Sequence, residues 1–273
     1  MAPESSHPSN PTTRNWLIAL VAFIALLCVC GVCATGGGAV AYPIVAGTLQ
    51  ARSTETAVAY AHATATAETE AFHATATAQA ASLAESSWTL GILDPFDSNA
   101  NRWVQGNYDD AFAKTTYSFL NGKYRFDINA HQGVVLRSTP TAKRSTIDFY
   151  AAVEAQRLSG NTDEPYGLAF RDDGVNYYLF NVSDTQNFAV FMWRNEGWTT
   201  LVDWTPSTAI IPDKVNRLAV IGKGSHFDFF INGRHVAEAE DDHLAEGLIG
   251  VAINLNSQGD AIFEFDNFEV RVP

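Results

Sequence analysis

Three acidic residues near the C-terminus, Glu264-x-Asp266-x-x-Glu269, have the spacing of a reactive pair. Alternate side chains of an extended strand project to one side, so Glu264 and Asp266 would stand together. Two carboxyls held close on one face can divide the roles of nucleophile and general acid at a glycosidic bond. A second set of residues offers binding rather than reaction. Trp198, Thr200, Val202 and Trp204 alternate along one expected strand and so share a face, Trp193 precedes the turn before it, and Tyr177 and Tyr178 lie upstream. Such rings can stack on the apolar C–H faces of sugars, while Arg171 and Asp172 in the adjoining turn bind hydroxyls. Tyr177 and Tyr178 point in opposite directions, so only one of them can face a core. Asp94, Asp97 and Asp266 form a third set, a candidate calcium site. Calcium takes several oxygen ligands, and carboxylates from the two ends of a domain could supply some of them.

Other chemistries find no match. Gly222-Lys223-Gly224-Ser225 lacks the spacing of a phosphate loop and precedes no helix. No pair of histidines has the sequence spacing of zinc ligands, and there is no Gly-x-Ser-x-Gly elbow.

The elements that must position these residues are short. Between residues 166 and 204 four apolar runs rich in Tyr, Phe, Trp and Val are separated by the turn clusters RDDG, SDTQN and RNEG. That pattern predicts antiparallel strands joined by hairpins. Asn121-Gly122 and Asn232-Gly233 predict two further hairpins with tight two-residue turns. Further strands are expected near 132–137, 146–157, 215–222, 247–255 and 261–271, and an opening loop at 93–99. Ile147, Phe149, Ala151, Val153 and Ala155 read as one core-facing row. A dozen or so strands with almost no helical periodicity predict an all-β fold, a two-sheet antiparallel sandwich over residues 88–273.

Composition separates this part from what precedes it. The chain carries a formal charge of −13 over 273 residues. Residues 88–273 hold fifteen basic and twenty-five acidic residues, a net of −10, without basic clusters. Nucleic acid is therefore not an expected partner, and the sandwich itself would be repelled by anionic lipid. Residues 1–15 are polar and rich in proline, and read as a disordered tail. Residues 16–34 contain no charge, enough for one helix to cross a bilayer, with Trp16 at the expected interface. Residues 16–41 are thus expected to form a transmembrane anchor, with Arg14 favouring the N-terminus inside. The rival is a signal peptide cut after Ala39-Val40-Ala41, which would leave a secreted protein. Cys28, Cys30 and Cys33 all lie in this apolar segment and read as small hydrophobes.

Residues 42–87 form an Ala/Thr-rich stalk in which HATATAETEAF (62–72) is followed by HATATAQAASL (73–83), a period of eleven. Eleven residues over three turns suit a nearly straight helix. As a helix this stalk would hold the domain about 50 Å from the bilayer, and its stripe of Ala61, Phe72 and Leu83 could also pair chains as an oligomer.

The succession YGLAFR, NYYLFNVS, GWTTLVDW, VNRLAVIGKG, FFINGRHV, GLIGVAINL and FEFDNFEV resembles the concanavalin A-like, laminin-G-like jelly rolls over roughly residues 90–272. Within these it is most similar to the bacterial branch named for 3-keto-disaccharide hydrolases. No catalytic residue of that branch can be matched here, so the resemblance implies a fold and, as a prior, a carbohydrate-binding or surface module. The Glu-x-Asp-x-x-Glu run also resembles the catalytic strand of jelly-roll glucanases. It departs from theirs in having Asn267 where an apolar residue is usual and in lying on the final strand. The resulting expectation is a membrane-anchored extracellular module that binds glycan or another extracellular polymer without turning it over. The alternatives are a glycoside hydrolase using Glu264 and Asp266, and a structural or protein-binding ectodomain.

Overall fold

The computed structural model describes residues 87–141 and 145–273, together with Ala59. The expected tail and anchor, and nearly all of the stalk, lie outside the described residues, and among the described residues no helix is long and apolar enough to cross a membrane. From Thr89 onward the described residues form strands joined by turns and loops. Its first strands are β1 (Thr89–Asp94), β2 (Gly106–Asp109), β3 (Ala113–Leu120), β4 (Lys123–Ala130) and β5 (Val134–Ser138). The middle holds β6 (Phe149–Ser159), β7 (Tyr166–Asp172), β8 (Tyr177–Ser183), β9 (Asn187–Arg194) and β10 (Gly197–Pro206). The last third adds β11 (Asn216–Lys223), β12 (His226–Ile231), β13 (Arg234–Glu240), β14 (Leu248–Leu255) and β15 (Gly259–Val272).

Two antiparallel sheets result. One has nine strands in the order β13-β12-β11-β6-β15-β4-β3-β2, with β1 also paired to β15; the other has six in the order β10-β9-β8-β7-β14-β5. The sheets bury their facing sides against each other, as period-two alternation requires. From the nine-stranded sheet come Phe126, Phe149, Val153, Phe227, Phe229, Phe263 and Phe265, and from the six-stranded sheet Tyr166, Phe170, Tyr178, Phe180, Val190 and Val251. Their rings pack edge-on and tilted across the layer, as Phe180 and Phe229 do at 5.0 Å.

The expected hairpins form as their dipeptides dictate. Asn121 and Gly122 take φ of 55° and 69°, and Asn232 and Gly233 take 51° and 77°, the left-handed pair that suits strand twist. Three local expectations are corrected. Ile147 is exposed and precedes β6, so the inward row begins at Phe149. β1 and β2 were not expected; β1 runs on into the first two residues of the supposed opening loop, Leu93 and Asp94, because its backbone pairs with the end of β15. Val202 turns inward. β10 carries one bulge between Thr200 and Val202 and another between Val202 and Thr205, so Val202 packs on the core while Trp198 and Trp204 stay on the outer face.

Buried polar groups tie the loops to this core. Asp94, 3% exposed, accepts hydrogen bonds from the Phe96 amide (2.9 Å), the Asn101 amide group (2.8 Å) and the Trp103 indole (2.7 Å). Arg157 pairs with Asp184 at 2.7 Å, and Asp184 also accepts a hydrogen bond from the Tyr166 hydroxyl at 3.1 Å. Tyr178 donates its hydroxyl hydrogen to Asp241 and accepts the Leu244 amide at 3.2 Å, clasping the β13–β14 loop onto the six-stranded sheet. Burial alone would raise the Asp241 carboxyl. Hydrogen bonds from Tyr178 and from the backbone and ring of His243 outweigh that and hold it below the usual carboxylate range.

Phe170 is fully buried against Tyr178, Phe149 and Phe227. Phe170→Ala is expected to lose about 3–5 kcal/mol in urea unfolding, whereas Val175→Ala, at an exposed turn, stays within about 0.5 kcal/mol. Asp241→Asn lowers Tm at neutral pH. Because the folded carboxyl is depressed, its contribution is complete above the unfolded value of about 3.9 and drains away as pH falls through the folded value. Thermal unfolding from pH 7 downward therefore shows the two proteins converging in acid.

Candidate functional site on the outer face of the six-stranded sheet

The aromatic residues singled out by the sequence divide between the two sides of this sheet. Tyr178 lies between the sheets, stacked on Phe170 at 5.1 Å, and is fully buried. Burial raises its hydroxyl well above its ordinary value. Arg171 also leaves the candidate set. It takes φ of 48°, turns inward over the Phe227 ring at 4.6 Å and donates to the carbonyls of Leu244 (2.7 Å), Ile147 (3.2 Å) and Gly224. Desolvation lowers its pKa, and its role is to hold three loops together.

Tyr177, Trp193, Trp198 and Trp204 occupy the outer face. Register explains the grouping: Tyr177 pairs with Trp193, which pairs with Trp198. Trp193 and Trp198 rings are 5.0 Å apart, Tyr177 meets Trp198 edge-on at 6.0 Å, and Phe191 bridges Trp198 (6.2 Å) to Trp204 (5.8 Å). Trp198 and Trp204 are 47% and 42% exposed, which leaves ring surface free for a ligand. Asp172 stays on this face, paired with Arg137, whose guanidinium lies 3.6 Å over the Tyr177 ring. The arrangement is an aromatic ridge with a charged flank.

Below the ridge the face becomes polar. A pocket of ≈ 340 Å³ is lined by Trp204, Ser183, Thr185, Asn187, Asp163 and Asn256. Two residues before Ser183 on the same face of β8 stands Asn181, fully buried, with both its amide nitrogen and its oxygen lacking a hydrogen-bond partner. Its cross-strand neighbours are Gly167 and Ala189, neither of which can supply a partner from its side chain. An unpaired buried amide costs about 1–3 kcal/mol, so it calls for an explanation. Asn181, Phe191, Arg137 and the polar pocket were not legible as site features in the sequence. Alternation along β8 puts Tyr177, Leu179, Asn181 and Ser183 on one face, but nothing local marks Asn181 as unpartnered.

The carboxylate candidates lie on the other side of the molecule. Glu264 and Asp266 project from the outer face of the nine-stranded sheet, opposite the inward Phe263 and Phe265. Arg125 meets Glu264 at 3.3 Å, Lys123 pairs with Asp266, and Glu269 is held by Arg217 (3.1 Å) and Arg271. Each of these carboxylates is thus engaged by a basic side chain of its own sheet. A hollow of ≈ 510 Å³ also on the nine-stranded sheet, lined by Lys114, Thr116, Asp127, Asn129 and Asp260, carries no aromatic ring and does not include Glu264 or Asp266.

The calcium set is not assembled. The meeting of β1 with β15 does bring the two ends of the domain together, but Asp94 faces inward with both oxygens used, while Asp266 faces outward onto Lys123. Asp97 lies instead beside the Asn121-Gly122 turn, where its Oδ1 is 3.1 Å from the place a Gly122 side chain would take.

Neither a family model nor a curated protein matches this chain. Solved structures do. The carbohydrate-binding module CBM66 from Bacillus subtilis is 22% identical, over 62% of this chain and 95% of that one, with a TM-score of 0.43. The catalytic domain of an endo-1,3-β-glucanase (laminarinase) from Thermotoga petrophila is 12% identical, over 68% and 98%, with a TM-score of 0.47. A GlcNAcα1-4Gal-releasing endo-β-galactosidase from Clostridium perfringens is 12% identical, over 69% of this chain and 64% of that one, with a TM-score of 0.51. At such identities the likeness is one of fold. The described part of this chain has the fold of an antiparallel two-sheet jelly-roll sandwich.

Proposed function

We propose that this protein binds glycan on the outer face of the six-stranded sheet and does not turn it over. The observation that carries the reading is the pairing of exposed indoles, Trp198 and Trp204, with a polar pocket directly beside Trp204. Sugars need both: a flat apolar surface for their C–H faces and nearby amides and carboxylates for their hydroxyls. Asn181, fully buried two residues before the pocket's Ser183, adds to it, because a water reaching in from a bound sugar would complete an amide that the protein leaves unpaired. The fold shared with a carbohydrate-binding module and with glycan-cleaving enzymes agrees with this reading. Turnover has no comparable support, since Glu264 and Asp266 are each engaged by a cation on the opposite face.

Screening the full-length protein on a glycan array is expected to reveal at least one bound sugar class. Trp204→Ala and Trp198→Ala would each weaken that binding about tenfold, some 1.4 kcal/mol, without lowering Tm by more than a few degrees. Silence on every glycan, or binding indifferent to both substitutions, defeats the reading. Asn181→Leu separates a ligand role from a structural one. It is expected to raise stability by about 1–2 kcal/mol, by removing an unpaired amide, while weakening sugar binding.

The same reading places the sandwich outside a membrane, held by residues 16–41 with 42–87 as spacer. Its support is the uncharged run 16–34 with Arg14 ahead of it. Protease added to intact cells should then remove the sandwich. The mass of the cell-derived chain distinguishes an uncut anchor from cleavage after Ala41.

A further inference from the structure

On the far side of the molecule, the hairpin β12–β13 at the edge of the nine-stranded sheet gathers side chains that neither the ridge nor the pocket uses. Phe227, Phe229 and Ile231 point into the core, so His226 and Asp228 point out. Across the hairpin His226 faces Glu240 and Asp228 faces Glu238. Antiparallel pairing thus sets two adjacent cross-strand pairs on one solvent-facing patch. One ligand atom from each of His226, Asp228 and Glu238 lies within 4.8 Å of the other two.

We propose that His226, Asp228 and Glu238 bind a divalent transition-metal ion of the zinc type. The distances fit. His226 Nε2 is 3.3 Å from Asp228 Oδ2, and two ligands at about 2.0–2.1 Å from a tetrahedral zinc stand about 3.3 Å apart. The surroundings also orient the donors as metal ligands require. His226 Nδ1 is 2.9 Å from Glu240 Oε1, and the Ser225 hydroxyl donates to Glu240 Oε2 at 2.8 Å. With Nδ1 donating to that carboxylate, the Nε2 lone pair is directed at Asp228, the carboxylate–histidine–metal pattern. His235 Nε2 sits 3.1 Å from the other oxygen, Asp228 Oδ1, and its ring rests edge-on against Phe230 at 5.3 Å, which fixes the Asp228 carboxylate. One imidazole with two carboxylates suits zinc-like ions, whereas calcium and magnesium prefer an all-oxygen shell. Three protein ligands leave a fourth position for water or for a donor group from a partner. The patch is on the opposite sheet from the indoles, so this inference does not depend on glycan binding.

The test is calorimetric titration of zinc chloride into the full-length chain, without a histidine tag and in a Cys28→Ser, Cys30→Ser, Cys33→Ser background to remove thiolate binding. The expected result is one zinc per chain and a Tm rise of a few degrees at saturation. Glu238→Gln and His226→Ala should each weaken binding tenfold or more; Glu238 is exposed, so its variant keeps the fold. His131→Ala, an exposed histidine elsewhere, should change nothing. Absence of saturable binding overturns the assignment, as does binding unaffected by Glu238→Gln and His226→Ala. An equal response to calcium also overturns it.

Discussion

A strand that alternates Phe263 and Phe265 with Glu264 and Asp266 can satisfy its backbone only between two neighbours, and its rings only against another sheet. β15 meets both conditions over fourteen residues. It pairs along one edge with β6, and along the other first with β4 and then with β1. Because β1 joins it, the two ends of the domain close beside one another, and the hydrogen-bonding groups of the last strand are used along its length. Every other strand of the larger sheet takes its place relative to this one, and the smaller sheet packs on the ring surface that the larger one presents. The period of two then decides everything downstream. Whatever faces inward is committed to the core, and only the alternate residues are available for function.

Those alternate residues differ between the two outer faces. On the nine-stranded sheet they form charge pairs: Arg125 with Glu264 and Asp127, Lys123 with Asp266, Arg217 and Arg271 with Glu269. Cross-strand pairs of this kind keep a broad sheet soluble and in register, at modest gain per pair. On the six-stranded sheet the same positions hold Tyr177, Phe191, Trp193 and Trp198, with Asn181 and Ser183 further along. Along β4 and β15 the first face is paired within itself, whereas the other presents rings with exposed surface beside a buried amide without a partner.

The buried polar groups explain how such a face stays in place. Arg171 serves three carbonyls and Asp94 three donors, and Asn216 exchanges hydrogen bonds with Ile211, Lys214 and Asn232. Each fixes a loop whose own backbone would otherwise be left unpaired at the sheet ends. Against that background Asn181 stands out, because neither its amide nitrogen nor its oxygen has a partner, whereas Arg171 leaves only its Nε unpaired.

Local pattern by itself determined the class of fold, most of the strands and both Asn-Gly hairpins, because alternation and turn chemistry act over a few residues. It also determined that Tyr177 and Tyr178 face opposite ways. Which of the two looks outward, and that Val202 breaks rank between two bulges, depended on pairing with β9 and was decided only in three dimensions. So were the fates of Arg171, which a left-handed φ turns into the core, and of Asp94 and Asp266, which share a neighbourhood but not a face. The unpartnered amide of Asn181 and the meeting of His226 with Glu238 are properties of strands brought together from distant or facing segments. Sequence spacing cannot express them, since a cross-strand neighbour is set by register and not by distance along the chain.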